Sequence, residues 1–142
     1  MSRGFVKEGD QEEVPFVEPR AALPQGVTNY VTPTGLNLLN DERKALMEQR
    51  DANRENRIQY NYYKAKLVHL DERINSAVLV DFDKSPKDVI GFGAWVIYQQ
   101  KGQKHTIRIV GVDEADVRNG KISFLSPLAK ALLSHKVQDE VG

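Results

Sequence analysis

Cysteine is absent from the 142 residues, which removes disulfides, thiolate metal sites and every mechanism with a thiol nucleophile. Charge of either sign is not in excess, since 20 basic side chains offset 20 acidic ones. No overall field is therefore available to hold a nucleic acid by counterion release, and direct tight binding to DNA is disfavoured. Divided by segment, Met1–Val31 carries two more acids than bases and the remainder is close to neutral, so there is no basic arm. Long apolar runs are missing too. No stretch approaches the roughly 18 uninterrupted apolar residues of a membrane span, and MSRGFVKEGDQEE lacks the apolar centre of a signal peptide. A cytoplasmic protein without a membrane partner is expected. The length suits one domain, or a small domain with an appended helical element, and not a large enzyme.

Several chemical motifs are incomplete. Asp113-Glu114-Ala115-Asp116 spells a helicase signature, but no phosphate-cradling GxxxxGK[ST] accompanies it. Gly91-Phe92-Gly93 is too short for a dinucleotide fingerprint and precedes a strand pattern, so it reads as a turn. His69, His105 and His135 lack ligand spacing. No GxSxG elbow organises a serine nucleophile.

What is present divides the chain in three. Residues 1–31 carry acids, Pro15, Pro19 and Pro24, and no sustained period, which suits a disordered or extended tail. Val14, Phe16, Val17 and Leu23 give that tail some means of docking. Residues 32–76 read as two helices. Thr32-Pro33 is a helix start, N-cap then first helical position, and Leu36, Leu39 and Leu46, with Arg43 between, give a weak seam to about Asp51. A second helix from about Ile58 has Tyr60, Tyr63, Leu67, Leu70, Ile74 and Ala77 spaced three and four apart, the stripe of a coiled coil. The short polar break at residues 52–56 makes the helices antiparallel, with the tip near residues 51–57. Residues 77–142 read as a β-rich domain. Ala77–Asp81 is expected as a connecting strand and Ser85-Pro86 as the domain's opening. Trp95–Tyr98 and Thr106–Val110 are strands joined by a Gln99–Lys104 turn in which Gly102 supplies positive φ. Pro127, Leu128, Ala131 and Leu132 form a short helix capped by Ser126.

FGAWV at Phe92–Val96, IVGVDEAD at Ile109–Asp116, GKIS at Gly120–Ser123 and SPLAKALL at Ser126–Leu133 follow one another in the order and spacing of a known domain. The stretch resembles the C-terminal domain of the bacterial Gre transcript-cleavage factors. The resemblance runs from about Thr32 to Val141 and leaves out the first thirty residues. It implies an α+β protein, an antiparallel coiled-coil hairpin followed by a small domain similar to the FK506-binding-protein fold. It also implies two further strands after Val141, where this chain ends at Gly142; a sheet without them has an exposed edge.

By the same resemblance the partner is RNA polymerase, with the β domain on the rim of its secondary channel, the hairpin inside, and only indirect contact with DNA or RNA. The factor is expected to be a monomer with no active site of its own. Asp113, Glu114, Asp116, Ser126 and Pro127 are the candidate partner contacts, the acids being equally compatible with a turn stabilised by local side-chain bonds, with Leu125 where the family tends to carry a polar residue. Family tips carry acids that help hold a Mg²⁺ shared with the polymerase. Here the matching stretch is Asp51-Ala52-Asn53-Arg54-Glu55-Asn56, with Glu55-Asn56 retained and Asp51 displaced by one position. Hard oxygen ligands suit Mg²⁺, and a metal so held activates water for phosphodiester hydrolysis. Against this, Asp51 and Glu55 lie among Arg50, Arg54 and Arg57, which favours ordinary surface pairing. The first helix is also shorter than the family pattern by about two heptads, roughly 20 Å of reach. A channel-blocking regulator is the leading expectation and an active cleavage factor the alternative. Two rivals come from other classes: a peptidyl-prolyl isomerase, on fold similarity alone, and a coiled-coil adaptor using the Tyr60–Ala77 stripe.

Overall fold

A computed structural model describes residues 15–136. Val14 and the final six residues lie outside that range. Residues 15–28 contain no helix or strand, and a short strand, β1 (Asn29–Val31), follows within the stretch assigned to the tail. Two twenty-residue helices come next, α1 (Pro33–Ala52) and α2 (Arg57–Ser76). Thr32 caps α1, its Oγ1 accepting the Gly35 N–H at 2.9 Å, with Pro33 where a missing N–H costs nothing.

The helices pack as an antiparallel hairpin about Leu39, Leu46, Leu67 and Leu70, with Val31 closing the base and Leu36, Met47, Tyr63, Ile74 and Ala77 at the margins. Arg43, which interrupts the seam of α1, reaches across to Asp71 of α2 at 2.6 Å. Tyr60 departs from the expected stripe. It stands outside this cluster near the tip, between the Arg54 and Lys64 cations at 5.8 and 5.4 Å from its ring.

Strand β2 (Ala77–Leu79) leaves α2 directly and pairs in parallel with β1, Asn29 opposite Ala77 and Val31 opposite Leu79. The helical hairpin is thus the crossover that a parallel pair requires. Pairing with β1 was not legible from three residues on each side.

The β domain is a sheet in the order β3 (Trp95–Gln100), β4 (Gln103–Val110), β5 (Lys121–Ser123), covered on one face by α3 (Pro127–Leu132). Its hairpin is longer than expected. Lys101 (φ 54°) and Gly102 (φ 78°) alone make the turn, a type I′ geometry, so Gln99, Gln100, Gln103 and Lys104 join the ladder. Ala94, Val96, Ile107, Ile109, Ala129 and Leu132 are the core, with Phe92, Ile122, Phe124 and Leu128 against it. Among the described residues β3 pairs only with β4, leaving its other edge open.

Leu70 is fully buried and Val68, two positions away, is 58% exposed. Leu70→Ala should therefore lower the unfolding free energy by about 2–5 kcal/mol, and Val68→Ala by no more than about 0.5 kcal/mol. Denaturant titration of the two variants measures the difference.

Candidate functional site

At the tip the backbone needs of two helix ends consume most of the polar side chains. Asn53 ends α1, its N–H bonding the Arg50 carbonyl and its side-chain amide donating to the Gln49 carbonyl at 2.7 Å. Asn56 starts α2, its Oδ1 accepting the Gln59 N–H at 3.2 Å. Asp51 accepts from Arg50 Nε and from Arg54 Nη2, both at 3.0 Å. The Arg50 contact first, then Arg54, holds its carboxyl below the usual aspartate value. Glu55 is exposed, and no hydrogen bond or ion pair engages it among the described residues. The retained acid is thus available while the displaced one is neutralised in place. No group of three or more potential ligands gathers anywhere among the described residues.

The five β-domain residues separate into two sets. Asp113 and Glu114 turn inward, with side chains only 7% and 2% exposed, because the hairpin base supplies partners that water would otherwise replace. Thr32 Oγ–H donates to Glu114 Oε1 at 2.5 Å while the same oxygen caps α1. A Cβ at Gly35 would lie 2.8 Å from that carboxylate, so glycine in the first turn of α1 makes room for it. Glu114 Oε2 is buried without a hydrogen bond, and Lys121 Nζ at 3.5 Å balances it as a charge. Asp113 receives Arg73 of α2 at 2.7 Å on one oxygen and Arg20 at 3.2 Å on the other. Arg20 in turn holds Glu42 of α1 through two bonds of 2.8 and 3.0 Å. That fork, ahead of the opposing effect of burial, lowers the Glu42 pKa and raises that of Arg20.

Asp116, Ser126 and Pro127 form the second set. Asp116 is exposed, accepts from the Asn119 side chain at 2.6 Å and exchanges backbone bonds with Lys121. Ser126 caps α3 by accepting the Ala129 N–H at 3.2 Å, and Pro127 is exposed at its first position. Leu125 is half-buried beside them. Of the aromatic side chains considered for an isomerase pocket, Phe92 and Phe124 pack on each other and on Tyr30 at 5.6–5.9 Å as part of the core margin, Tyr98 stacks on His105, and Trp95 faces outward, with Arg108 over its ring.

A family model described as "Transcription elongation factor, GreA/GreB, C-term" matches residues 85–142. The transcription elongation factor GreB of Neisseria meningitidis serogroup B is 33% identical over 135 residues, covering 80% of this chain and 83% of that one. The chain belongs to the GreA/GreB family. GreB of Pasteurella multocida is 31% identical, covering 80% of this chain and 85% of its own. Among solved structures, GreA factor homolog 1 of Thermus thermophilus aligns at 21% identity over 79% of this chain and 86% of that one, with a TM-score of 0.36.

For this Gre-family chain, sequence reading found the tip and the loop after β4 but missed Arg20, Thr32, Glu42 and Arg73 as partners of that loop. Thr32 was legible only as a cap. Arg20 had no local signal, since its two carboxylates lie 22 and 93 positions away. Of the apolar tail residues expected to dock, Phe16 remains 78% exposed, while Val17 and Leu23 are half-buried.

Two outcomes follow from the junction. Thr32→Ala should destabilise by more than the about 1 kcal/mol of a lost cap, because Glu114 also loses its donor inside a buried site; thermal or denaturant unfolding reads this directly. Glu42 has a folded pKa below its unfolded one, so its contribution is complete above the unfolded value and disappears as pH falls through the folded one. A ¹³C NMR titration should place the Glu42 carboxyl below an unfolded-peptide glutamate, and the stability gap to Glu42→Gln should close over that same acid range.

Proposed function

We propose that this protein regulates transcription elongation by binding RNA polymerase, with the β domain on the rim of the secondary channel and the hairpin inserted in it. It occupies the channel and does not supply a catalytic group. The observation that carries this reading is the state of the tip. Of its two acids, Asp51 is bound by Arg50 and Arg54, so Glu55 alone is left to meet a cation. Mg²⁺ in such complexes takes one or two carboxylates together with substrate phosphates, and placement errors of about an ångström already cost rate. Two helices of twenty residues extend about 30 Å from their base. Occupancy of a channel tolerates those limits, and delivery of a metal does not.

The exposed Glu55 is the specific feature that favours the second reading, a cleavage-stimulating factor holding Mg²⁺ through Asp51 and Glu55. Asp116, Ser126 and Pro127 are the proposed contacts to the rim. Asp113 and Glu114 serve binding through the junction they occupy.

Cleavage assays on stalled elongation complexes test the reading. Little or no stimulation is expected, and Asp51→Ala with Glu55→Ala should leave any inhibition of elongation mostly intact. Deleting residues 33–74 should abolish it. Robust cleavage that vanishes in Glu55→Ala would establish the second reading instead. Pro127→Ala should weaken polymerase binding, and a fragment lacking residues 84–142 that bound as tightly as the whole chain would overturn the assignment of the rim contact.

A further inference from the structure

The segment preceding β1 makes contacts out of proportion to its lack of regular structure. Arg20 bonds Glu42 on α1 and Asp113 on the β domain at once, and its side chain is 18% exposed. The next residue, Ala21, offers its carbonyl to Arg73 Nη2, and Arg73 Nη1 bonds Asp113. Further towards the N-terminus, Tyr62 Oη donates to Glu18 at 3.3 Å. We infer that residues 15–28 are a strap and that Arg20 is its positioning residue, setting the angle at which the hairpin leaves the β domain. The functional consequence rests on the polymerase reading above; the structural part does not.

The chemistry of the quartet supports positioning over simple reinforcement. Two guanidinium groups and two carboxylates balance in charge, and Arg20 meets Glu42 through both prongs of its fork. Taking Asp113, Arg73 and Arg20 largely out of water, with Glu42 still 39% exposed, costs much of what their attraction returns, so such a network adds little net stability. Removing one member, however, leaves opposite charges uncompensated, and the geometry is what the network specifies. The other ties at the base lie elsewhere, at Thr32 with Glu114 and at Tyr30 between Phe92 and Phe124. They fix the hairpin where its strands meet the sheet. The strap adds a tie at Glu42, the tenth residue of α1 and in its third turn, where leverage over the helix axis is greater.

Small changes of angle are large at the tip. With a hairpin about 30 Å long, rotation by about 10° at the base displaces the tip by roughly 5 Å. Contact between β domain and rim would survive such a swing, whereas entry of the tip into a narrow channel would not.

The absence of cysteine makes the test direct. Spin labels at Ile58→Cys, near the tip, and Lys104→Cys, on the exposed end of β4, report the angle as a distance distribution in the free, full-length protein. A narrow distribution is expected for the parent. Arg20→Ala should broaden it and shift its mean, Glu42→Gln should do the same to a lesser degree, and Arg20→Lys, which keeps the charge but loses the fork, should fall between. Melting curves of the same variants separate the two roles: an unchanged distribution well below the melting transition, with only a lowered midpoint, would reduce Arg20 to a stabilising residue and overturn the proposal. On polymerase, Arg20→Ala should keep most of the binding affinity while losing the effect on elongation. An altered distribution together with no polymerase binding by the parent would uphold the strap and sink the function; an unaltered one would sink the strap whatever the polymerase assays gave.

Discussion

Two adjacent carboxylates, Asp113 and Glu114, carry the architecture, because they are the points at which a helical hairpin and a separate small sheet become one object. Each takes its side-chain hydrogen bonds from outside the sheet, while Lys121 of the sheet balances Glu114 as a charge. Glu114 takes the hydroxyl that caps α1, and Asp113 takes arginines from α2 and from the segment before β1. Neither unit could bury such a charge alone, since an isolated ionised carboxylate in an apolar setting would be prohibitively costly. The glycines at 35 and 111 are the steric counterpart. A Cβ on the first would press on Glu114, and one on the second would run into the Tyr30 carbonyl.

This arrangement explains why the two ends of the molecule make different demands on their acids. At the junction acids are held in place by partners brought from far along the chain, and they orient. At the tip Asp51 meets only neighbours within a few positions, Arg50 and Arg54, and those pairs form in solvent, where they contribute little. A tip so composed is polar and capped at both helix ends, with Glu55 its one unengaged acid.

Legibility in the sequence followed the range of the interaction. Helix ends were readable because Thr32, Pro33 and Ser126 act within four residues of themselves, and the hairpin core because Leu67, Leu70 and Ile74 repeat with a helical period. The β-strands at Trp95 and Thr106 showed as alternation, though their lengths did not, since a two-residue turn can be read only after its φ angles are known. The β1–β2 ladder escaped because three residues carry no period. The role of Asp113 and Glu114 escaped for a different reason: a surface-like string of acids looks the same whether it faces a partner protein or an arginine supplied from residue 20. Recognising the family stretch located the loop correctly and left its orientation open.

Parallel pairing of β1 with β2 brings the beginning and end of the hairpin side by side, and the bonds that tie the helices to the sheet, at Thr32, at Arg73 and through Arg20 at Glu42, lie in the half of the hairpin nearer its base, so the sheet does not sense how far the helices travel past them. Hairpin length is then a nearly independent variable. Adding one heptad to each helix, in register across the seam, would extend the tip by about 10 Å while leaving the base unaltered. A scaffold of this kind keeps the length of its hairpin apart from its base, so that paired insertions can lengthen the one without redesigning the other.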